Sequence, residues 1–190
     1  MRAIRVGTRK SELALRQAGL ILDAIKRLHP GLRGELAPIA TTGDRQLDRP
    51  LDAVGGKGLF VKELEEALAR GEVDVCVHSY KDLPVPGNPD LPVAAVSARE
   101  DPRDVLVLPA GRTEPDPDLP LGSSSRRRTA QLAGFYPGWS VKPIRGNIST
   151  RLRKLDEGGF GGLILAAAGL KRLGLWSRAG RVFSTGEMIP

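Results

Sequence analysis

The chain has 190 residues, 41% of them hydrophobic, which is enough for one sizeable buried core or two small ones. Its 29 Lys and Arg against 22 Asp and Glu give a net charge of +7, which admits nucleic acid, an anionic surface or an acidic small molecule, while 4% aromatic content argues against base-stacking recognition. One cysteine excludes an internal disulfide framework and a multi-cysteine zinc site, and no apolar run reaches a membrane-spanning length.

The N-terminal residues Met1-Arg2-Ala3-Ile4-Arg5-Val6-Gly7 lack the apolar stretch of a secretory signal, so the cytoplasm is the expected compartment. Residues 3–7 predict a strand. Ser11 is placed to cap a helix running to about Leu28, with Leu15, Ala18, Leu22 and Ile25 on one face. A strand over 35–40 leads into Thr41-Thr42-Gly43-Asp44, and Gly55-Gly56-Lys57-Gly58 reads as a glycine-rich lid rather than a Walker A loop. Phe60, Leu64, Ala67 and Leu68 mark an amphipathic helix closed by Gly71. The buried strand 73–77 then delivers His78-Ser79-Tyr80-Lys81-Asp82-Leu83-Pro84 at its end.

Pro84, Pro86, Pro89 and Pro92 keep the next segment extended, and a strand is predicted over 92–97. Residues 99–104 are a candidate hinge between two domains, 1–98 and 99–190. Beyond it follow a strand at 105–108, an acidic Pro-rich loop at 109–120, and a further strand ending at the Gly122 to Arg128 junction. Then come a helix over 125–134, a strand over 140–145, a helix over 149–157, a strand over 162–166 and a short helix over 167–173. Strands alternating with helices predict two α/β lobes, with ligands at the carboxyl ends of the strands.

Three predicted strand-to-helix junctions place arginine beside Ser, Thr or Asn: Gly7-Thr8-Arg9-Lys10-Ser11, Gly122-Ser123-Ser124-Ser125-Arg126-Arg127-Arg128 and Arg145-Gly146-Asn147-Ile148-Ser149-Thr150-Arg151. Cations in a first helical turn oppose the macrodipole by up to about 1 kcal/mol each, so an anion is expected to offset them. Taken alone, Arg126-Arg127-Arg128 reads as a solvated face; the repetition favours an anion site. Asp82 stands out among the carboxylates, because an aspartate amid cations stays ionised and can stabilise a developing positive charge; an Asp-turn or an ion pair with Lys81 is the plainer alternative. His78 lacks a partner at metal spacing and reads as structural, His29 as surface and Cys76 as a small buried hydrophobe. No metal site is expected.

The three junctions, together with Thr42-Gly43-Asp44, the block Gly55 to Glu65, the segment His78 to Pro84, Ala130-Gln131-Leu132, Leu152-x-Lys154-Leu155-Asp156 and Ala168 to Gly174, resemble porphobilinogen deaminase, also called hydroxymethylbilane synthase. The blocks follow the family's order along nearly the whole chain. The resemblance implies two lobes like those of type II periplasmic binding proteins, each a mixed sheet flanked by helices. It implies a transferase of haem and tetrapyrrole biosynthesis that joins four porphobilinogen units to hydroxymethylbilane with release of ammonia, primed on a dipyrromethane cofactor. By resemblance Asp82 is the catalytic aspartate. Arg9, Ser11, Lys81, Ser125, Arg127, Arg128, Arg145 and Arg151 would hold cofactor and substrate carboxylates, and Lys57 and Phe60 would belong to the lid. Asp44 fits a family block without an assigned role.

The family's cofactor-bearing cysteine belongs to a third domain, and Cys76 does not match it. The expected partners are porphobilinogen and oligopyrrole carboxylates, with neither nucleic acid nor membrane, and the expected state is a monomer. The 190-residue chain alone is expected to be weakly active or inactive. The alternative is a non-catalytic two-lobed module that binds small anions. Tyr80, Arg126 and Gly161-Gly162 depart from the family's usual residues at those positions.

Overall fold

The computed structural model describes residues 3–45 and 58–190. The chain divides into two compact units, Met1–Ala98 and Arg99–Pro190.

The first unit is built on β1 (Ile4–Arg9), α1 (Glu12–Leu28), β2 (Gly34–Ile39), α2 (Thr42–Arg45), α3 (Lys62–Ala69) and β3 (Val75–Cys76). Ser11 caps α1 by accepting a hydrogen bond from the Ala14 N–H at 3.4 Å, and Glu12 at its start and Lys26 and Arg27 at its end complement the macrodipole. Its inner face buries Ala18 and Leu22 against Val6, with Ile4, Leu36, Val75 and Val77 around them. α3 buries Leu64 and Ala67 and ends at Arg70, after which Gly71 takes a positive φ of 66°.

The sheet order is β2-β1-β3, and β1 runs parallel to both neighbours. Among the described residues all its pairs are parallel: α1 connects β1 to β2 and α3 precedes β3, and crossovers of that kind return strands in parallel. The predicted strand 73–77 contracts to two ladder residues, although the Asp74 and Val77 N–H groups still donate to the Arg5 and Gly7 carbonyls at 2.9 and 3.0 Å. No strand forms over 92–97. That stretch meets no ladder partner among the described residues, and Val93 and Val96 are exposed.

The second unit contains β4 (Asp104–Val107), β5 (Leu121–Gly122), α4 (Arg126–Leu132), β6 (Val141–Lys142), α5 (Ile148–Asp156), β7 (Gly162–Ala166), α6 (Ala167–Arg172) and β8 (Ala179–Val182). Its sheet, ordered β6-β5-β7-β4-β8, is mixed: β5 is parallel to β6 and β7, and β4 is antiparallel to β7 and β8. Alternation along β4 and β7 sorts the core into two layers. Val105, Val107, Leu163 and Leu165 pack with Leu152, Leu155 and Leu170 from α5 and α6 on one face. Leu106 and Ile164 pack with Leu132 of α4, Phe183 and Met188 on the other. Each fully buried Leu or Ile contributes about 1.5–3 kcal/mol. The central strands therefore read as continuous apolar runs because both faces are covered.

β8 was not predicted. Ala179-Gly180-Arg181-Val182 is an edge strand with too little apolar alternation to reveal itself, and its register shifts beside Leu106 and Val107. Asp104, placed by sequence in the candidate hinge, is the first residue of β4 and wholly buried.

Candidate catalytic aspartate and arginine clusters

In the first unit the parallel strands β1 and β3 bring Arg9 and the segment after Cys76 to the same end of the sheet. Arg9 forms a fork with Asp44, donating from Nε to Oδ2 at 3.2 Å and from Nη2 to Oδ1 at 2.5 Å, while Thr41 Oγ1 donates to Asp44 Oδ2 at 2.7 Å. Burial pushes the Asp44 carboxyl up, but hydrogen bonds from Arg9 and Thr41 outweigh it and hold the group below its ordinary value. The Arg9 guanidinium also lies 4.0 Å above the Phe60 ring. Phe60 in turn abuts Gly43, where a β-carbon would meet the ring at 2.2 Å. Arg9 is thus held by the protein itself, and Phe60 is the platform beneath it. Lys57, the other expected lid residue, lies outside the described residues.

Asp82 ends a short 3-10 turn, Tyr80–Asp82, whose backbone closes through the Asp82 N–H to the Ser79 carbonyl at 2.9 Å. Its carboxylate is half-buried, and among the described residues it accepts no hydrogen bond and forms no ion pair. The expected alternative of a pair with the exposed Lys81 is not formed. Ser11 spends its hydroxyl on the α1 cap, and Ser79 Oγ bonds Gln17 Oε1 at 3.1 Å. His78 is lowered by burial, against opposing pulls from Glu65 and Asp82 and with a further push from Arg9, which puts it in the field of both candidate groups. Burial lifts the Cys76 thiol to about 11, so this cysteine behaves as the packed hydrophobe expected.

The second unit gathers the other arginines. Ser125 caps α4 by accepting from the Arg128 N–H at 3.4 Å. Asn147 caps α5 by accepting from the Thr150 N–H at 2.8 Å. Gly146, at a φ of 112°, has room for no β-carbon against Thr150 Cγ2 at 2.7 Å, and its carbonyl accepts from Arg151 Nε at 2.8 Å. Lys154 Nζ donates to the Arg145 carbonyl at 3.3 Å. Burial lowers Arg151 from its ordinary value, and the charges of Arg128 and Arg145 lower it further.

Two of the expected clamp residues are anchored by a carboxylate that the sequence did not single out. Asp104 accepts from Arg127 Nη2 at 2.6 Å and from Arg128 Nε and Nη2 at 3.0 and 2.7 Å. Arg127 also donates to the Ile189 carbonyl, and Arg128 to that of Ile164 at 3.2 Å. The one available signal was position: Asp104 directly precedes the apolar run Val105 to Leu108, where a charge must be paired. Asp101 is a second such residue, accepting from Arg103 at 2.8 Å and Lys171 at 2.8 Å, and these partners hold its carboxyl far below the ordinary range. An open groove of about 430 Å³ runs beside α4, lined by Ser123, Ser124, Arg126 and Val141. Arg127, Arg128, Arg145 and Arg151 do not line it.

Residues 4–190 match the family model described as porphobilinogen deaminase, dipyromethane cofactor binding domain. The chain belongs to the porphobilinogen deaminase family. It is 56% identical over 187 residues to porphobilinogen deaminase of Acetivibrio thermocellus, covering 98% of this chain and 64% of that one. The identity to the Ruminiclostridium josui protein is 54% over 190 residues, and to that of Thiobacillus denitrificans 49% over 194, with 64% and 63% of those chains covered. The chain therefore spans a little under two thirds of the length of these family members. Among solved structures, an ancestral arginine-binding protein bound to arginine is similar at a TM-score of 0.45 and 19% identity, over 97% of this chain and 80% of that one. The effector binding domain of a BenM variant is similar at 0.41 and 16%, over 90% and 74%. Among the described residues no helix is long and apolar enough to cross a membrane, and no group of three or more His, Cys, Asp or Glu is arranged to hold a metal ion.

Proposed function

We propose that this chain supplies the catalytic aspartate and the carboxylate clamp of a cytoplasmic, monomeric porphobilinogen deaminase, which condenses four porphobilinogen units into hydroxymethylbilane and releases ammonia at each addition. The observation that carries the reading is Asp82, a half-buried carboxylate that accepts no hydrogen bond and forms no ion pair among the described residues, on the 3-10 turn that follows β3. Leaving such a group unpaired is costly unless a ligand completes it. Substrate pyrrole N–H groups suit it as donors, and its negative charge would stabilise the azafulvenium cation left on porphobilinogen when ammonia departs.

Arg151, lowered by burial and by the charges of Arg128 and Arg145, is the matching observation for the clamp. Each pyrrole carries an acetate and a propionate, and carboxylates there would relieve the repulsion with charge-assisted bonds of about 1.5–3 kcal/mol each. That donor set fits a dipyrromethane cofactor, which Ser125, Arg127, Arg128, Arg145 and Arg151 would hold together with incoming substrate. The cofactor supplies a nucleophilic pyrrole carbon to which the first substrate is joined. Arg9, Ser11 and Lys81 would orient substrate carboxylates beside Asp82, with Phe60 fixing the Arg9 plane.

The test uses the chain alone and the chain extended to the length of its relatives. With porphobilinogen, the extended protein should release ammonia and form hydroxymethylbilane, while the 190-residue chain gains no stable mass of a dipyrromethane and turns over weakly or not at all. Binding of small carboxylates without ammonia release by the extended protein would instead identify a non-catalytic anion-binding module. Loss of binding to competing DNA, with a steep salt dependence, would point to a nucleic-acid surface.

A further inference from the structure

We propose that Asp104 is a positioning residue for the arginine cluster of the second unit, fixing Arg127 and Arg128 as a preoriented pair for a polycarboxylate ligand. The inference rests on reading that cluster as a clamp. Asp104 is 1% exposed and stands on the most constrained strand of the unit. β4 is paired on both sides, Asp104 lies opposite Ala166, and its carbonyl accepts from the Phe183 N–H at 3.0 Å. The carboxylate therefore has little freedom to follow its partners; they must come to it.

A single guanidinium would have neutralised Asp104. Two neighbours in sequence share it instead, one oxygen each: Oδ2 takes Arg127, and Oδ1 takes both Nε and Nη2 of Arg128. Removing that charge would leave Arg127 and Arg128 repelling each other, with Arg151 repelling Arg128 as well. The carboxylate also does not saturate its partners. A guanidinium has about five N–H donors; those of Arg128 used within the protein are Nε, Nη1 and Nη2, once each, and Arg127 uses Nη1 and Nη2 once each. Donors remain on both groups while their orientations are fixed, and that is the arrangement that lowers the ordering cost of binding.

The experiment compares the 190-residue chain with D104N, D104E and R151Q. A synthetic dipyrromethane carrying two acetates and two propionates is titrated calorimetrically, and arginine Nε–Hε relaxation is measured by NMR without ligand. D104N should weaken binding by about 10- to 100-fold, the range seen when a supporting residue is lost, and the Arg128 Nε–Hε group should become mobile. D104E, which keeps the charge but displaces it, should recover part of both. R151Q should weaken binding while leaving the Arg128 signal ordered. Wild-type affinity and an ordered Arg128 in both Asp104 variants would overturn the proposal. Should D104N fail to fold, D104E decides alone, and unchanged affinity and relaxation there overturn it equally. If the wild-type chain does not bind the probe, the clamp reading falls, and the relaxation data still show whether Asp104 orders the arginines.

Discussion

Replacing Asp82 by Asn separates chemistry from folding because the structure gives the native carboxylate so little to lose. It accepts no hydrogen bond and makes no ion pair among the described residues, so the isosteric amide removes no such interaction there. Away from buried networks such changes stay within about 0.5 kcal/mol. For a unit of this size that is a shift in Tm of about 4 °C or less. The catalytic cost is of another order. A full negative charge about 4 Å from a developing cation, at an effective dielectric near 20, contributes about 4 kcal/mol. Losing it should slow the step about 1000-fold.

Two assays read the two quantities. Thermal melting of the 190-residue chain, wild type and D82N, gives the stability term. Ammonia release from porphobilinogen by the chain extended to its relatives' length gives the rate. A Tm drop of more than about 5 °C would expose a hidden structural partner for Asp82. Turnover within tenfold of wild type would refute the electrostatic role outright.

Acid should weaken the first unit through Asp44. Its folded-state pKa lies below the unfolded value, so the unfolded chain binds the extra proton first; the contribution is present above about pH 4 and is lost as pH falls through the folded value. Melts between pH 3 and 7 should show this, and R9Q should flatten the dependence. G43A forces a β-carbon to within 2.2 Å of the Phe60 ring and should destabilise the first unit by about 1–3 kcal/mol, with F60L restoring part of it in a double-mutant cycle. Cys76, at about 11, should resist iodoacetamide at pH 8, with a thiolate fraction on the order of 100-fold below that of a free cysteine; rapid labelling by intact mass would show that its burial is misjudged.

Periodicity made much of the fold legible. Val105 to Leu108 and Leu163 to Leu165 read as buried strands because both faces are covered, and Ala18 and Leu22 marked the inner face of α1. The bounds of short strands, and one edge strand altogether, were not legible. β5 and β6 were expected from the sequence but shorten to two residues each, whereas the edge strand β8 carries Gly180 and Arg181 where alternation would be sought. Residues 92–97 have strand composition, yet ladders need a partner, which composition cannot name. The site divides the same way. The arginines at the junctions were visible by spacing, but their internal partners lie 35 residues away for Arg9 and 23 and 24 for Arg127 and Arg128. Only the tertiary fold sets such pairs.

Those partners change what positive charge at a strand-to-helix junction means. Arginine in the first turn of α4 opposes the helix dipole, and an external anion is one answer to it. The fold supplies another: Asp44 and Asp104 each stand in for part of the anion, one beside Arg9 and one beneath Arg127 and Arg128. An internal carboxylate lets the arginines stay ordered between ligands, but full neutralisation would leave nothing to attract a ligand. The second unit avoids this by setting one buried carboxylate against two guanidinium groups and by leaving Arg151 in the positive field of Arg128 and Arg145. Among the described residues the Arg151 side chain donates only to the Gly146 carbonyl and meets no carboxylate, so its charge stays uncompensated within the unit. A chain of carboxylates would relieve Arg151 most, since neighbouring charge opposes it where Asp104 already supports Arg127 and Arg128.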